Sequence, residues 1–331
     1  MCPMLRVWGS LLALSSLVFG QTAARAPQSA GGAAMAQKAI TLAQSGHCDE
    51  ALPLLKKSIR QIPNADLRKQ AALTGVNCAM THNAHYDALE FLTVLSRDFP
   101  RDPEALYAAT HAYSDLSLRA SQDLAREAPF SYQVHLLNAE ALELQGKWDE
   151  AATEYRKILD INPLLPGIHA RLGRALLSRQ QPPPEIVAQA KKNFEQELDI
   201  DPRNATAEYV LGQLAQDAND LSSAIRHFTR ATKIDTGFSE AYLGLGTALV
   251  SAKRFAEAIP PLESYEKMAP DSPTGHYQLA LAYTGVGRKE DANRQAALQR
   301  ETAESLEKVR RRVAEGLLQQ QGQGSQSSEP H

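Results

Sequence analysis

The sequence predicts an all-α protein, an α-solenoid of about eight helix–turn–helix pairs followed by a C-terminal capping helix. Two spacings and one compositional fact predict it. An alanine is followed twelve residues later by a proline at Ala51/Pro63, Ala88/Pro100, Ala151/Pro163, Ala190/Pro202 and Ala258/Pro270. Ala190, Ala224, Ala258 and Ala292 stand 34 residues apart, with Thr236 where the proline after Ala224 belongs. A fixed period of this length marks stacked units, each too small to bury its own apolar face. Of the 331 residues 43% are hydrophobic, enough for a core, whereas only 6% are aromatic, which suits close helices better than strands.

The N-terminus reads as a secretory signal, residues 1–20. Arg6 supplies the positive start, Val7 to Phe19 form an apolar run too short to span a bilayer comfortably, and small residues follow at Gly20, Ala23 and Ala24. Cleavage after Gly20 is expected, then a linker over 21–31. No cysteine follows the apolar run, so a lipid anchor has no acceptor there. Export leaves Cys48 and Cys78, an even count that allows one disulfide in an oxidising compartment; two buried small apolar side chains are the alternative reading.

Each later unit divides into two amphipathic stretches. Tyr132 to Gly146 carries Leu136, Ala139 and Leu142 at helical spacing, and Gly146-Lys147 breaks the pattern. Trp148 to Ile161 follows, with Ala151, Tyr155 and Ile158 on one stripe, and Asn162-Pro163 ends it, because proline lacks an N–H and disfavours helix in the residue before it. Alanine recurs because two closely crossing helices leave no room for more. The plan returns at Leu211-Gly212 with Ala224, Phe228 and Ala231, at Leu245-Gly246 with Ala258, Leu262 and Pro270, and at Leu279-Ala280 with Tyr283, Gly287 and Ala292.

On these residues the chain resembles the tetratricopeptide repeat family, whose first helix carries a Leu-Gly or Leu-Ala pair and whose second carries an alanine and a large apolar residue before a closing proline. The register gives pairs at 32–65, 69–102, 103–131, 132–165, 166–204, 205–238, 239–272 and 273–306. Those within 32–131 diverge, and the array over 132–306 matches well. The pair at 103–131 is short, its second helix lacks the signature, and Pro182-Pro183-Pro184 should widen the turn of 166–204. A capping helix is expected over 302–318, where Leu306, Val309, Val313 and Leu317 continue the pattern, and a disordered Gln/Ser/Gly-rich tail over 319–331.

Motifs for chemistry are few. His82 and His85 with Asp87 fall at a polar turn with no further ligand to complete a metal shell. His135 and His169 sit at equivalent places in successive first helices, where packing accounts for them. Gly244-Leu245-Gly246 lies inside a repeat helix with no strand before it, so a phosphate loop is excluded on context. No nucleophile elbow occurs, and Asn204-Ala205-Thr206 is a formal glycosylation sequon only. No catalytic residue, cofactor or metal is expected. The near balance of 35 basic and 38 acidic residues gives a nucleic acid no basic face.

The resemblance implies a right-handed superhelix whose first helices line a concave groove, and a protein or peptide as partner. Groove residues are then Asn77, Tyr107, His111, Glu140, Arg171, Arg174, Tyr209, Gln213 and Tyr277, with Arg171 and Arg174 also placed to pair with Glu140 or Glu143. Tyrosine and arginine suit such a surface, joining large contact area to polar tips. The expectation is a non-catalytic scaffold of the periplasm or secreted space, with no membrane span after signal cleavage. The alternative is an accessory subunit that orients a catalytic partner in envelope or cell-wall assembly. Partner identity and oligomeric state stay open.

Overall fold

The computed structural model describes residues 26–326, with side chains over 31–316. The expected signal, 1–20, lies outside the described residues, as do 21–25 and 327–331. Among the described residues all regular structure is helical, in fifteen α-helices and one short 3-10 turn. Within each of two units, helix packs on the helix before it in the chain, which is the construction of an α-solenoid. The chain divides into two compact units, one ending at Glu127 and the other beginning at Ala128.

The first unit holds α1 (Ala26–Gln44), α2 (Cys48–Ser58), α3 (Ala65–Thr81), α4 (His85–Asp98) and α5 (Pro103–Glu127), with the 3-10 turn Ile59–Gln61 after α2. Its core joins Ile40, Leu55, Ile59, Phe91, Leu92 and Leu95, all essentially without solvent exposure. Two expectations are corrected here. The linker over 21–31 is helical from Ala26, and Gly32 is buried where α1 meets the 3-10 turn: a Cβ there would stand 2.7 Å from that of Gln61. Gly32 therefore marks a close approach of backbone to backbone. Segment 103–131 is not a pair either, because α5 runs unbroken over 25 residues. Between Glu104 and Glu127 there is no Gly, Pro or Asn to take up a turn conformation, so the helix continues.

The second unit is five successive pairs: α6 (Tyr132–Leu144) with α7 (Trp148–Ile161), α8 (Ile168–Leu177) with α9 (Pro184–Ile200), α10 (Ala205–Asp217) with α11 (Leu221–Ile234), α12 (Ser239–Ser251) with α13 (Phe255–Met268), and α14 (Pro273–Gly285) with α15 (Lys289–Gln326). The periodic alanines sit where the helices cross. Ala51, Ala88, Ala151, Ala190, Ala224 and Ala258 have no solvent exposure at all. At Thr236, where the proline is absent, Asp235 accepts a 2.8 Å hydrogen bond from the Gly237 N–H, as Asp201, followed by Pro202, does from Arg203 at 3.0 Å. The same aspartate turn thus closes α11 without the proline.

Six hairpins share one turn. Residues Gly46, Asn83, Gly146, Asn219, Lys253 and Gly287 all have positive φ, and the next N–H donates back five residues, as Lys147 does to the Leu142 carbonyl at 2.9 Å. That bond satisfies a carbonyl at the helix end. Glycine enters the left-handed region without penalty, whereas Lys253, at φ 60°, bears a Cβ clash. Lys253→Gly is expected to stabilise the second unit by roughly 0.5–1 kcal/mol, measured by urea unfolding, because strain relief outweighs the added freedom of the unfolded chain.

A polar pair ties each of four hairpins together: His135 to Glu154 at 2.7 Å, His169 to Asn193 at 3.1 Å, Glu208 to His227 at 2.6 Å and His276 to Gln295 at 2.7 Å. His169 and His276 also bond the closing-proline carbonyls of the preceding pair, Pro163 at 3.1 Å and Pro270 at 2.8 Å. The histidines read as packing residues are thus hydrogen-bonded links within and between repeats. Glu197, fully buried on α9, accepts from the Gly167 and Ala170 N–H groups at 2.7 and 3.2 Å and so caps α8 from across the hairpin.

Asp220 caps α11. The Ser223 hydroxyl and amide, then the Ser222 hydroxyl, hold its carboxyl down at about 2, below the ordinary 3.8. A depressed carboxyl favours the folded state above its ordinary value and loses that contribution as pH falls toward the folded value. Loss of protection of the Ser223 amide, its exchange rate relative to that of an unprotected amide at the same pH, is expected as pH drops from about 4 to about 2, and is absent in Asp220→Asn. A protection factor that stays constant across that window would refute it.

The C-terminal end differs from expectation. The segment read as a separate capping helix, 302–318, is the continuation of α15, a single helix of 38 residues, and the tail read as disordered from 319 is helical to Gln326. Ala292 and Gln295 are buried, whereas every residue from Glu304 to Gly316 is exposed. The closing role therefore falls to the first part of α15.

Candidate functional site

In the first unit, α3 and α5 lie side by side with a cleft of about 530 Å³ between them. Leu73, Val76, Asn77 and Met80 come from one face of α3, and Glu104, Tyr107, Ala108, His111, Ala112 and Asp115 from one face of α5. Both sets follow the three- and four-residue steps that align side chains on a helix. Val76 and Ala112, buried, form an apolar floor. Tyr107 is 69% exposed, and its ring lies 4.4 Å from that of His111, tilted by 59°. Asn77, also exposed, offers an amide opposite them. The rim carboxylates are matched within the unit, Glu104 by Lys69 at 3.2 Å and Asp115 by Arg119 at 2.8 Å. Three sequence-predicted residues thus meet at one apolar cleft with polar edges, the usual make-up of a binding site.

A second hollow of about 620 Å³ lies over α2 and α4. Lys56 bonds Asp87 there and Arg60 bonds Glu90 at 3.1 Å, so two of its three cations are already neutralised.

In the second unit the predicted residues form pairs. Arg171 meets Glu140 at 2.9 Å and Arg174 meets Glu143 at 3.1 Å, joining α8 to α6. These partly exposed pairs contribute about 0–1 kcal/mol each. Gln213 donates to the Tyr209 hydroxyl at 2.8 Å, and the Tyr209 ring packs 4.9 Å from Phe238. Burial, then the Glu240 charge, pushes the Tyr209 hydroxyl up from its ordinary value. Tyr277 stands 52% exposed on α14. Cys48 and Cys78, at the start of α2 and within α3, are joined as a disulfide with Cα atoms 5.1 Å apart.

Leu73, Met80, Glu104 and Asp115 were not singled out from sequence, although the spacing 73, 76, 77, 80 on one helix face carried the signal. His82 and His85 flank the turn before α4, and among the described residues no three His, Cys, Asp or Glu side chains are grouped as a metal would need. Asn204 of the sequon caps α10, its Oδ1 accepting from the Ala207 N–H at 2.9 Å.

Segments 103–166 and 209–273 match the family described as tetratricopeptide repeat. These two segments carry the tetratricopeptide repeat pattern. The first matched segment begins at α5, so the tetratricopeptide pattern extends over a stretch that folds as one helix rather than two. Among solved structures the chain is similar to the MamA protein, at 22% identity over 54% of this chain and 94% of that one, with a TM-score of 0.47. It is also similar to YrrB, described as a TPR protein with an unusual peptide-binding site, at 18% identity over 55% and 92%, with a TM-score of 0.49. No curated protein sequence matches it. Among the described residues no helix is long and apolar enough to cross a membrane.

Proposed function

We propose that this chain is a non-catalytic scaffold, exported to the periplasm or secreted space, that holds a segment of a partner protein in the cleft between α3 and α5. Tetratricopeptide repeats as a class mediate protein–protein interaction. The observation that carries the finer reading is the convergence of exposed Asn77, Tyr107 and His111 over an apolar floor. An exposed aromatic pair gains no burial from folding and gains it when a partner covers the rings. Support for export is the Arg6 to Gly20 pattern together with the Cys48–Cys78 bond, which persists in oxidising compartments.

A photo-crosslinking residue at His111 in intact cells tests the cleft. Expected is one or a few discrete adducts that disappear with Tyr107→Ala, a substitution at an exposed position that leaves the core alone. Adducts unchanged by Tyr107→Ala and Asn77→Ala together would remove the cleft from the function. Recovery of the chain from the cytosol with residues 1–20 intact would remove the export.

A further inference from the structure

The exposed end of α15 carries an apolar line with no cover. Leu306, Val309 and Val313 are 43%, 52% and 58% exposed and recur at steps of three and four, the spacing of a helix–helix seam. Valine is a mediocre helix former, and a solvated helix gains nothing from apolar residues kept in register. That line makes physical sense only when another surface buries it. The acidic residues around it are sorted to one side, although Lys308 and Arg311, at c and f, lie there too. With Leu306 and Val313 at the a positions and Val309 at d, Arg310 falls at e and Arg312 at g, on the two borders of the seam. Glu304, Glu307 and Glu315 all fall on the far side, at f, b and c, where Glu307 pairs with Arg311 at 3.2 Å.

From this sorting we infer that the seam Leu306–Val309–Val313 docks an amphipathic helix of another protein whose seam is flanked by acidic residues. A second copy of this chain is a poor occupant. Paired in parallel, its borders set arginine against serine or an apolar residue. Paired antiparallel, they set arginine against arginine, which repels. An anionic membrane is a poor fit as well. The apolar line is narrow, whereas a helix lying on a bilayer presents a broad apolar face rich in Trp, Phe and Leu, and 302–316 has no aromatic residue. This surface is separate from the α3–α5 cleft and stands whether or not the cleft binds anything.

The test uses the whole mature chain and a labelled helical peptide of about three heptads, with leucine at a and d and glutamate at e and g, read by fluorescence anisotropy. The glutamates also keep the probe from pairing with itself. A matched peptide with lysine at e and g is the control. Expected is binding of the glutamate peptide at least about tenfold tighter than the lysine peptide, with the order reversed by Arg310→Glu/Arg312→Glu. Val309→Asp should abolish both, while Tyr107→Ala should change neither. The charge-swapped double variant keeps the seam apolar, so it remains informative if Val309→Asp unwinds the helix end. Equal binding of the two peptides, or no binding, overturns the inference. So does self-association of the chain lost in Val309→Asp, or capture of anionic phosphatidylglycerol vesicles lost in Val309→Asp without peptide binding.

Discussion

Phe228→Ala is expected to cost the second unit about 3–5 kcal/mol, the largest effect of any single side-chain truncation argued for this chain. Its ring is 1% exposed and fills the space that two glycines leave open. A Cβ built on Gly212 of α10 or on Gly244 of α12 would stand 2.7 Å from it, so one ring of α11 is clasped between two first helices. Removing the ring leaves a hole whose walls include two residues with no side chain to swing inward, and the cavity cannot collapse cheaply. Because each repeat contacts only its neighbours, the loss should be local. Hydrogen exchange should show α10 to α13 losing protection before α6 and α7. Tyr277→Ala, truncating a half-exposed ring, should cost well under about 1 kcal/mol. A Phe228→Ala cost below about 1 kcal/mol would mean that the close helix approach is maintained by something other than this contact.

The clasp also explains why so much of the second unit could be read from residues alone. A position that must be alanine or glycine for two helices to touch leaves a mark wherever it recurs, and Ala151, Ala190, Ala224 and Ala258 are all fully buried. The polar links were harder to see. His135 and Glu154, or Glu208 and His227, are individually ordinary residues, and only the folded hairpin brings them to hydrogen-bond distance. Glu197 looks like any surface glutamate in sequence, yet it is buried as the cap of a helix it does not belong to. Helix α5 misled for the opposite reason: the repeats on either side leave room for a pair at 103–131, but between Glu104 and Glu127 no Gly, Pro or Asn interrupts the helix. Periodicity states where a unit ought to fold back. Local chemistry decides whether it does.

At the candidate site the same limit applies. Choosing first-helix residues that point away from the packing stripe placed Asn77, Tyr107 and His111 around one cleft. The same rule selected Arg171 and Arg174, which the fold spends on Glu140 and Glu143. A charged side chain on a first helix faces both the groove and the next first helix, and an opposite charge there captures it. Tyr107 and His111 have only each other, and no such neighbour withdraws them from the surface.

Reduction of the Cys48–Cys78 bond is expected to lower the stability of the first unit by about 3–4 kcal/mol and leave the second unit unchanged. The bond closes a loop of 30 residues in the unfolded chain, and the size of the effect follows from the entropy that loop forfeits. Urea unfolding with and without dithiothreitol measures it. The double variant Cys48→Ala/Cys78→Ala should be insensitive to reductant and resemble the reduced protein. Cys78 is buried on α3, one residue from Asn77, on the helix that forms one wall of the cleft. Loosening that helix by losing the bond that ties it to α2 should therefore weaken capture at the cleft as well as stability. A chain confined to a reducing compartment would forgo both, which is the physical link between the proposed export and the proposed binding. Identical unfolding in the two buffers would break that link and leave the cysteines as two small side chains filling space.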